Sequence, residues 1–185
     1  MHKVLGLGIT AAAIVATGLL PMAAWAATTS TAAGGPGDPD TTVTFTVTSG
    51  ALSMTAPATS NLGSGAPGGT ISHDLGVVTV TDDRALLSAA WTATASSTAF
   101  ITGGGTPNET IPASDVNYNP GEITTTGTIT ATGTTVTLSG LPQAVVTGTA
   151  GSGNNTASWD PGLVVSVPSS NAGGVYTGTL TQSVS

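Results

Sequence analysis

The stretch NTASWDPGLVVSVP (residues 155–168), followed closely by AGGVYTGTLT (residues 172–181), is the densest apolar and aromatic part of the chain. Apolar residues there alternate with Ser and Thr, and side chains of a strand point alternately to its two faces. We therefore expect two strands joined by a polar, Gly-rich turn, with Trp159 at the start of the first strand. Further strands are expected to stack against this pair.

Strand signals recur on the N-terminal side of this stretch, and no sustained helical period appears after residue 26. Val43, Phe45 and Val47 alternate with Thr across residues 42–48, and Leu52 and Met54 follow. Further strands are predicted over residues 75–81, 91–101, 124–138 (two strands joined near Gly133) and 145–146, with an irregular section over 103–122. Short strands at this spacing are typical of a sandwich or a partly closed barrel. We predict an all-β fold, an antiparallel β-sandwich with Greek-key or Ig-like connections, in a single domain.

Composition excludes several classes of function. The chain has 185 residues, of which 39% are apolar and only 6% charged, and it contains no Cys. Thiol nucleophiles, disulfides and thiolate metal sites are therefore excluded. The formal net charge is −7, and Lys3 and Arg84 are the two basic residues. Because nucleic-acid binding requires a basic surface, we expect no nucleic-acid partner.

The first 26 residues have the pattern of a secretory signal peptide. A short basic start at His2 and Lys3 precedes an apolar run, and Ala24-Trp25-Ala26 is a small-x-small cleavage site. We predict a signal peptide over residues 1–26, a flexible linker over 27–40 and one domain over 41–185. The protein is then secreted, extracellular or in the cell wall, with no membrane anchor after cleavage.

The acidic residues and His73, the only His after residue 26, do not form a recognisable catalytic pattern. His73 lies between Ser72 and Asp74, but members of a Ser-His-Asp triad are rarely consecutive in sequence. Three acids of the irregular section, Glu109, Asp115 and Glu122, could serve glycoside hydrolysis only if two of them faced each other across a cleft. No calcium-loop pattern is visible. We expect no catalytic residue, no metal site, no cofactor and no enzymatic activity.

Five residues are candidates for binding: Trp91, Trp159, Asp82, Arg84 and Tyr176. Trp91 and Trp159 could stack on sugars, although a Trp at a strand start more often belongs to the core, which we favour for both. Asp82 and Arg84 are two residues apart and would share a strand face, so we favour a structural ion pair between them.

Several of these motifs resemble the WxL domain. Residues 75–84 (LGVVTVTDDR) followed by Trp91-Thr92-Ala93-Thr94 are similar to its first half, and Trp159-Asp160-Pro161-Gly162-Leu163 with residues 175–181 (VYTGTLT) to its C-terminal half. The similarity spans residues 41–185. The first Trp-x-Leu motif appears here as Trp91-Thr92-Ala93, and the second as Gln182-Ser183-Val184, without its Trp.

The resemblance implies a secreted surface protein of Gram-positive bacteria, and the Ala-, Gly- and Thr-rich composition suits an actinobacterial source. WxL domains attach non-covalently to the cell wall, so the implied partner is peptidoglycan. We expect a non-enzymatic protein associated with this wall polymer. The alternative is a structural or adhesive surface protein that assembles with other surface proteins, or with its own copies, through exposed edge strands.

Overall fold

The computed structural model describes residues 42–185, so the predicted signal peptide and the predicted linker lie outside the described residues. A compact unit extends from Ser49 to Ser185 and consists almost entirely of strands. The strands are β1 (Leu52–Thr55), β2 (Thr70–Asp74), β3 (Val78–Ser97), β4 (Phe100–Ile101), β5 (Thr110–Ile111), β6 (Val116–Asn119), β7 (Ile123–Thr126), β8 (Thr130–Gly133), β9 (Val136–Thr137), β10 (Gln143–Trp159), β11 (Gly162–Ser166) and β12 (Leu180–Val184). Single 3-10 turns at Pro107–Glu109 and Ala113–Asp115 flank β5.

The strands form two main antiparallel sheets. In the first, β1, β3, β10 and β7 lie in that order, β12 also pairs with β3, and β8 also pairs with β10. The second has the order β2, β11, β6, β9, while β4 and β5 form a small separate pair. This arrangement confirms the predicted fold class, an all-β antiparallel sandwich.

From β8 to β12, consecutive strands alternate between the two main sheets. The chain leaves the first sheet at Trp159, turns at Asp160-Pro161, and enters β11 in the second sheet. β11 pairs with β2 and β6, whereas β12 pairs with β3. The predicted pairing of residues 155–168 with 172–181 is therefore wrong, because neighbours in sequence here belong to opposite layers.

The centre of the first sheet is a pair of long, bent strands, β3 and β10. Residues 75–81 and 91–101 were expected to form separate strands, but β3 runs without interruption from Val78 to Ser97. Its buried positions are even-numbered up to Asp82 and odd-numbered from Ala89 onward. Ala85, with φ 55°, lies at this change of phase, and Ala150, with φ 58°, lies at the matching irregularity of β10. The two bends keep the apolar side chains on the inner face along both strands.

One apolar core lies between the sheets. Val78, Val80 and Ala157 contribute to it from the first sheet, and Val116 and Leu163 from the second. The outer face of the first sheet carries hydroxyls, which pair across strands between Thr79 and Ser158, Thr126 and Thr156, and Thr94 and Ser183. The many Thr residues are thus the polar half of the strand alternation.

The other departures from the predicted elements concern lengths and one missing strand. Residues 124–138 hold parts of three short strands rather than two, and residues 145–146 belong to the 17-residue β10, with Trp159 at its end. The irregular section contains β5 and β6. Residues 42–48, predicted as a strand, form none, and Val43, Phe45 and Val47 are exposed.

Candidate functional site

Both candidate tryptophans of the compact unit are buried, as the core assignment predicted. Trp91 is 4% exposed and Trp159 2%. Trp91 lies opposite Gly148 of β10, and its indole ring occupies the space that a Cβ at Gly148 would require. Neither ring presents a face to solvent, so the sugar-stacking alternative does not apply to these two residues.

Trp159 belongs to a hydrogen-bond chain that joins the two sheets. Its Nε1 donates to the hydroxyl of Tyr118 at 2.9 Å, and this hydroxyl donates to Oε1 of Gln182 at 2.9 Å. Tyr118 lies in the second sheet and is fully buried. Burial raises the pKa of Tyr118 to about 12, because the phenolate would lose its hydration. Sequence reasoning missed Tyr118, although Val116 and Tyr118 show the strand alternation within the section judged irregular.

Asp82 and Arg84 form the predicted ion pair. The guanidinium donates through Nε and Nη2 to the two carboxylate oxygens, each at 2.8 Å, and Nη2 also donates to the Ala90 carbonyl at 2.9 Å. The hydrogen bonds from the Arg84 side chain hold the pKa of the buried Asp82 carboxyl below its usual value, against the opposing effect of burial. Since Ala90 lies beyond the bend at Ala85, this bidentate pair braces the bend of β3.

The remaining polar candidates are solvated or tied to the backbone. His73 and its neighbours Ser72 and Asp74 are all exposed. Glu109 accepts hydrogen bonds from the Thr106 hydroxyl at 2.8 Å and the Thr106 amide at 3.1 Å, and these bonds lower its pKa. Over residues 42–185, no group of three or more His, Asp or Glu side chains could hold a metal ion.

Tyr176, the last of the candidate binding residues, borders a concave surface. This surface, which we call the groove, has a volume of about 560 Å³. One wall is the loop of residues 60–65 with Pro67, and the other is residues 172–178. Its apolar floor comprises Ile71, Phe100, Ile111, Val165 and Val167.

Hydrogen bonds anchor the second wall of the groove and the end of the loop that forms the first wall. Gly68 and Gly69 exchange hydrogen bonds with Val167, each at 2.9 Å, behind the first wall. In the second wall, the amide of Thr177 donates to the Ile101 carbonyl at 3.0 Å, and the Tyr176 hydroxyl donates to the Ala172 carbonyl at 2.8 Å. These contacts within the chain hold the segments on both sides of the groove in place.

The chemistry of the groove is neutral. Its lining contains no charged side chain, although the chain as a whole is strongly acidic. The rings of Phe100 and Tyr176 supply aromatic surface, and Ser60, Asn61 and Ser64 supply hydroxyl and amide groups. A mostly apolar cleft with a few polar groups is the usual form of a small-molecule site.

A second concave surface, which we call the recess, adjoins the groove and follows β12. It has a volume of about 310 Å³ and shares five lining residues with the groove: Ser60, Leu62, Phe100, Thr177 and Gly178. Leu75, Leu163 and Leu180 line it, together with residues 57–60, residues 177–179 and Gln182. This lining also carries no charge.

Comparison of the chain with protein-family models, with curated proteins and with solved structures finds no match. In the part of the chain that the structure describes, no helix has the length and apolar character needed to cross a membrane.

Proposed function

We propose that this chain is a non-enzymatic, secreted surface protein that associates non-covalently with the cell wall, and that the groove holds a neutral part of the wall glycan. The observation that carries the proposal is the open, uncharged groove bordered by Phe100 and Tyr176. Sugar rings have apolar C–H faces that stack on aromatic rings, and hydroxyl and acetamido groups that pair with Ser and Asn side chains.

Charge supports a neutral ligand over an anionic one. Beyond residue 26 the sequence contains no Lys and a single Arg, and the Arg84 side chain is occupied by Asp82. A chain of this composition repels anionic wall polymers at long range. The glycan backbone of peptidoglycan offers uncharged amino sugars, which suit the uncharged groove.

The resemblance to WxL domains supports a location at the cell wall. The positions of the corresponding motifs in the structure favour the groove as the surface that contacts the wall. Trp91, in place of the first Trp-x-Leu motif, is buried, and Gln182-Ser183-Val184, in place of the second, lies on β12. The wall contact of this chain would then depend on the groove rather than on exposed tryptophans. Residues 1–26, with the pattern of a signal peptide, support export.

Glycine substitutions offer a test that leaves the fold intact. A Cβ added at Gly173 would meet no atom within 4 Å, and Gly173 lines the groove, so we expect Gly173→Leu to narrow the groove with little strain. Gly140 is equally open but lies elsewhere, and Gly140→Leu is the matched control. In sedimentation with purified sacculi, we expect Gly173→Leu to weaken binding by about tenfold or more, while Gly140→Leu binds normally. Equal binding by both variants, or none by the unaltered protein, would refute a wall contact in the groove.

The absence of catalysis is a separate part of this proposal. We expect no hydrolysis of peptidoglycan. Glu109, one of the candidate catalytic acids, accepts hydrogen bonds from the amide and the hydroxyl of Thr106, so its carboxylate is engaged within the chain. Reproducible release of glycan fragments that disappears in Glu109→Gln or Glu122→Gln would establish an enzyme instead.

An observation outside the groove favours the alternative of a structural or adhesive protein that assembles through edge strands. Residues 42–48 carry a strand pattern and yet form no strand. Such a segment forms a strand only when a free sheet edge accepts it, and assembly of this kind does not depend on wall binding.

A further inference from the structure

We propose that residues 42–48 of one copy add as an extra strand to the free edge of β12 in a second copy, so that the chain assembles head to tail. The donor segment, residues 42–48 (TVTFTVT), and the acceptor edge, β12 with its recess, are present on every copy.

The donor segment has the properties of a strand without a sheet. Val43, Phe45 and Val47 would share one face of an extended chain, and the four Thr residues would share the other. Val, Thr and Phe are among the residues most favoured in strands. The three apolar side chains are 74%, 75% and 57% exposed. The segment contains neither Pro nor Gly, which commonly prevent strand association, and its apolar face carries no charge.

The acceptor edge presents unpaired backbone groups. β12 pairs with β3 and with no other strand in residues 42–185. Backbone hydrogen bonds join Thr179 to Thr98 and Ser185 to Thr92, so the odd-numbered residues of β12 face β3. Because bonding alternates along an antiparallel pair, the amide and carbonyl groups of the even-numbered residues face away from β3. These residues are Leu180, Gln182 and Val184.

Within residues 42–185, the edge of β12 has none of the usual protections against strand addition. Natural proteins protect free edges with charged side chains, Pro or bulges. β12 has the sequence LTQSV, which contains neither charge nor Pro, and its register with β3 is continuous. By comparison, the outer strand β2 of the second sheet carries His73 and the charged Asp74.

The recess provides space for the apolar face of an added strand. Leu180 and Gln182 of β12 line it, opposite residues 57–60, and Leu75 and Leu163 add apolar surface. A strand beside β12 would direct one face toward this recess and the other toward the outer face, where Thr181 and Ser183 are exposed. The alternation of the donor segment, with Val and Phe on one face and Thr on the other, matches both environments.

The geometry of donor and acceptor defines the type of assembly. The two surfaces are different, so each contact is heterologous, and repetition gives a ring or an open filament. All copies carry the same negative charge, which opposes association at long range, so added salt should promote assembly by screening.

A complementation experiment, in which a variant with a disabled donor is mixed with a variant with a disabled acceptor, tests this proposal. Phe45→Asp disables the donor, and Thr44→Asp, with the same added charge on the opposite face, is its control. Val184→Pro disables the acceptor by removing an outward-facing amide. Sedimentation velocity over a range of concentrations measures assembly, and thermal unfolding checks that each variant is folded.

We expect the unaltered protein and Thr44→Asp to assemble with increasing concentration. Each disabled variant alone should associate at least about tenfold more weakly than the unaltered protein. An equimolar mixture of Phe45→Asp and Val184→Pro should form dimers and nothing larger, because each dimer has one intact contact. Both variants should sediment with sacculi as the unaltered protein does, which separates this proposal from the wall contact. A monomeric mixture, unchanged assembly of Phe45→Asp, or an unaltered protein that remains monomeric at every concentration would overturn the proposal.

Discussion

Two segments of this chain have nearly the same alternation and opposite surroundings. Residues 78–82 (VTVTD) begin β3, where Val78 and Val80 are fully buried. Residues 42–48 (TVTFTVT) have an even more regular pattern, yet Val43 and Phe45 are three-quarters exposed. Alternation therefore predicts that a segment can form a strand, but a neighbouring edge must be present for it to do so.

The two segments also contribute to different properties of the protein, the first to stability and the second to association. Residues 79–82 lie between β1 and β10, so this part of the segment is paired on both sides. They contribute to folding, and their loss should reduce stability. All residues of 42–48 are exposed, and their loss should affect association rather than stability.

The largest effect is expected at Trp159, in the core beside the first of these segments. Trp159→Ala removes a buried indole and leaves the Tyr118 hydroxyl without its donor, so we expect a loss of about 3–5 kcal/mol in the free energy of unfolding. Phe45→Ala should change it by no more than about 0.5 kcal/mol, as at most surface sites. Urea denaturation of dilute protein measures both. An equal effect of the two substitutions would remove the distinction between the segments.

The second effect is a loss of stability at alkaline pH. The pKa of Tyr118 is raised from 10.0 in the unfolded chain to about 12 in the folded protein. Below pH 10 both states are neutral at this residue, and as the pH rises toward 12 only the unfolded state ionises, which favours unfolding. Two pKa units correspond to on the order of 2–3 kcal/mol. Tyr118→Phe should lack this component, so a parallel decline in both proteins would contradict the buried, neutral assignment.

A smaller effect is expected at the brace of the β3 bend. Asp82→Asn replaces two charge-assisted hydrogen bonds from the partly exposed Arg84, so we expect a loss of about 1–2 kcal/mol at neutral pH. The folded-state pKa of Asp82 is lowered, so its contribution is complete above the unfolded pKa of about 4 and declines as the pH falls through the folded value. The difference between the unaltered protein and Asp82→Asn should therefore shrink in acid. A constant difference down to the lowest pH would argue against the ion pair.

Local patterns in the sequence were sufficient to predict the class of fold and the burial of the tryptophans. Alternating Val and Thr with Gly-rich breaks indicate strands, and Trp91 and Trp159 lie within such patterns. The spacing of Asp82 and Arg84 on one strand face was sufficient to predict their ion pair, which the structure contains at 2.8 Å.

Strand pairing could not be predicted in this way, because it depends on contacts between distant residues. The turn at Asp160-Pro161 passes from one sheet to the other, and nothing in its composition distinguishes it from a hairpin turn. The change from even to odd burial in β3 was visible, since Val78 and Val80 differ in phase from Trp91 and Ala93. Residues 75–81 and 91–101 were predicted as two separate strands, whereas one strand passes through a bend at Ala85.

The groove could not be predicted, because its two walls are more than a hundred residues apart in sequence and have no recognisable motif. Tyr176 was identified for its position in a strand-like stretch, although the residues around it form only an isolated bridge between Thr177 and Ile101. Its partners at the groove, Phe100 and Asn61, are unremarkable in the sequence.

Amide hydrogen exchange, compared between dilute and concentrated protein, tests the central claim most directly. In dilute protein, we predict that the amides of residues 42–48 and the outward-facing amides of Leu180, Gln182 and Val184 exchange rapidly, while those of Thr181 and Ser183 are protected by β3. At high concentration, the donor segment and the three outward-facing amides should become protected together. Two results would contradict the assignment of this segment as a strand completed by a second copy. One is rapid exchange of residues 42–48 at every concentration, and the other is protection of these amides in the dilute monomer equal to that in concentrated protein.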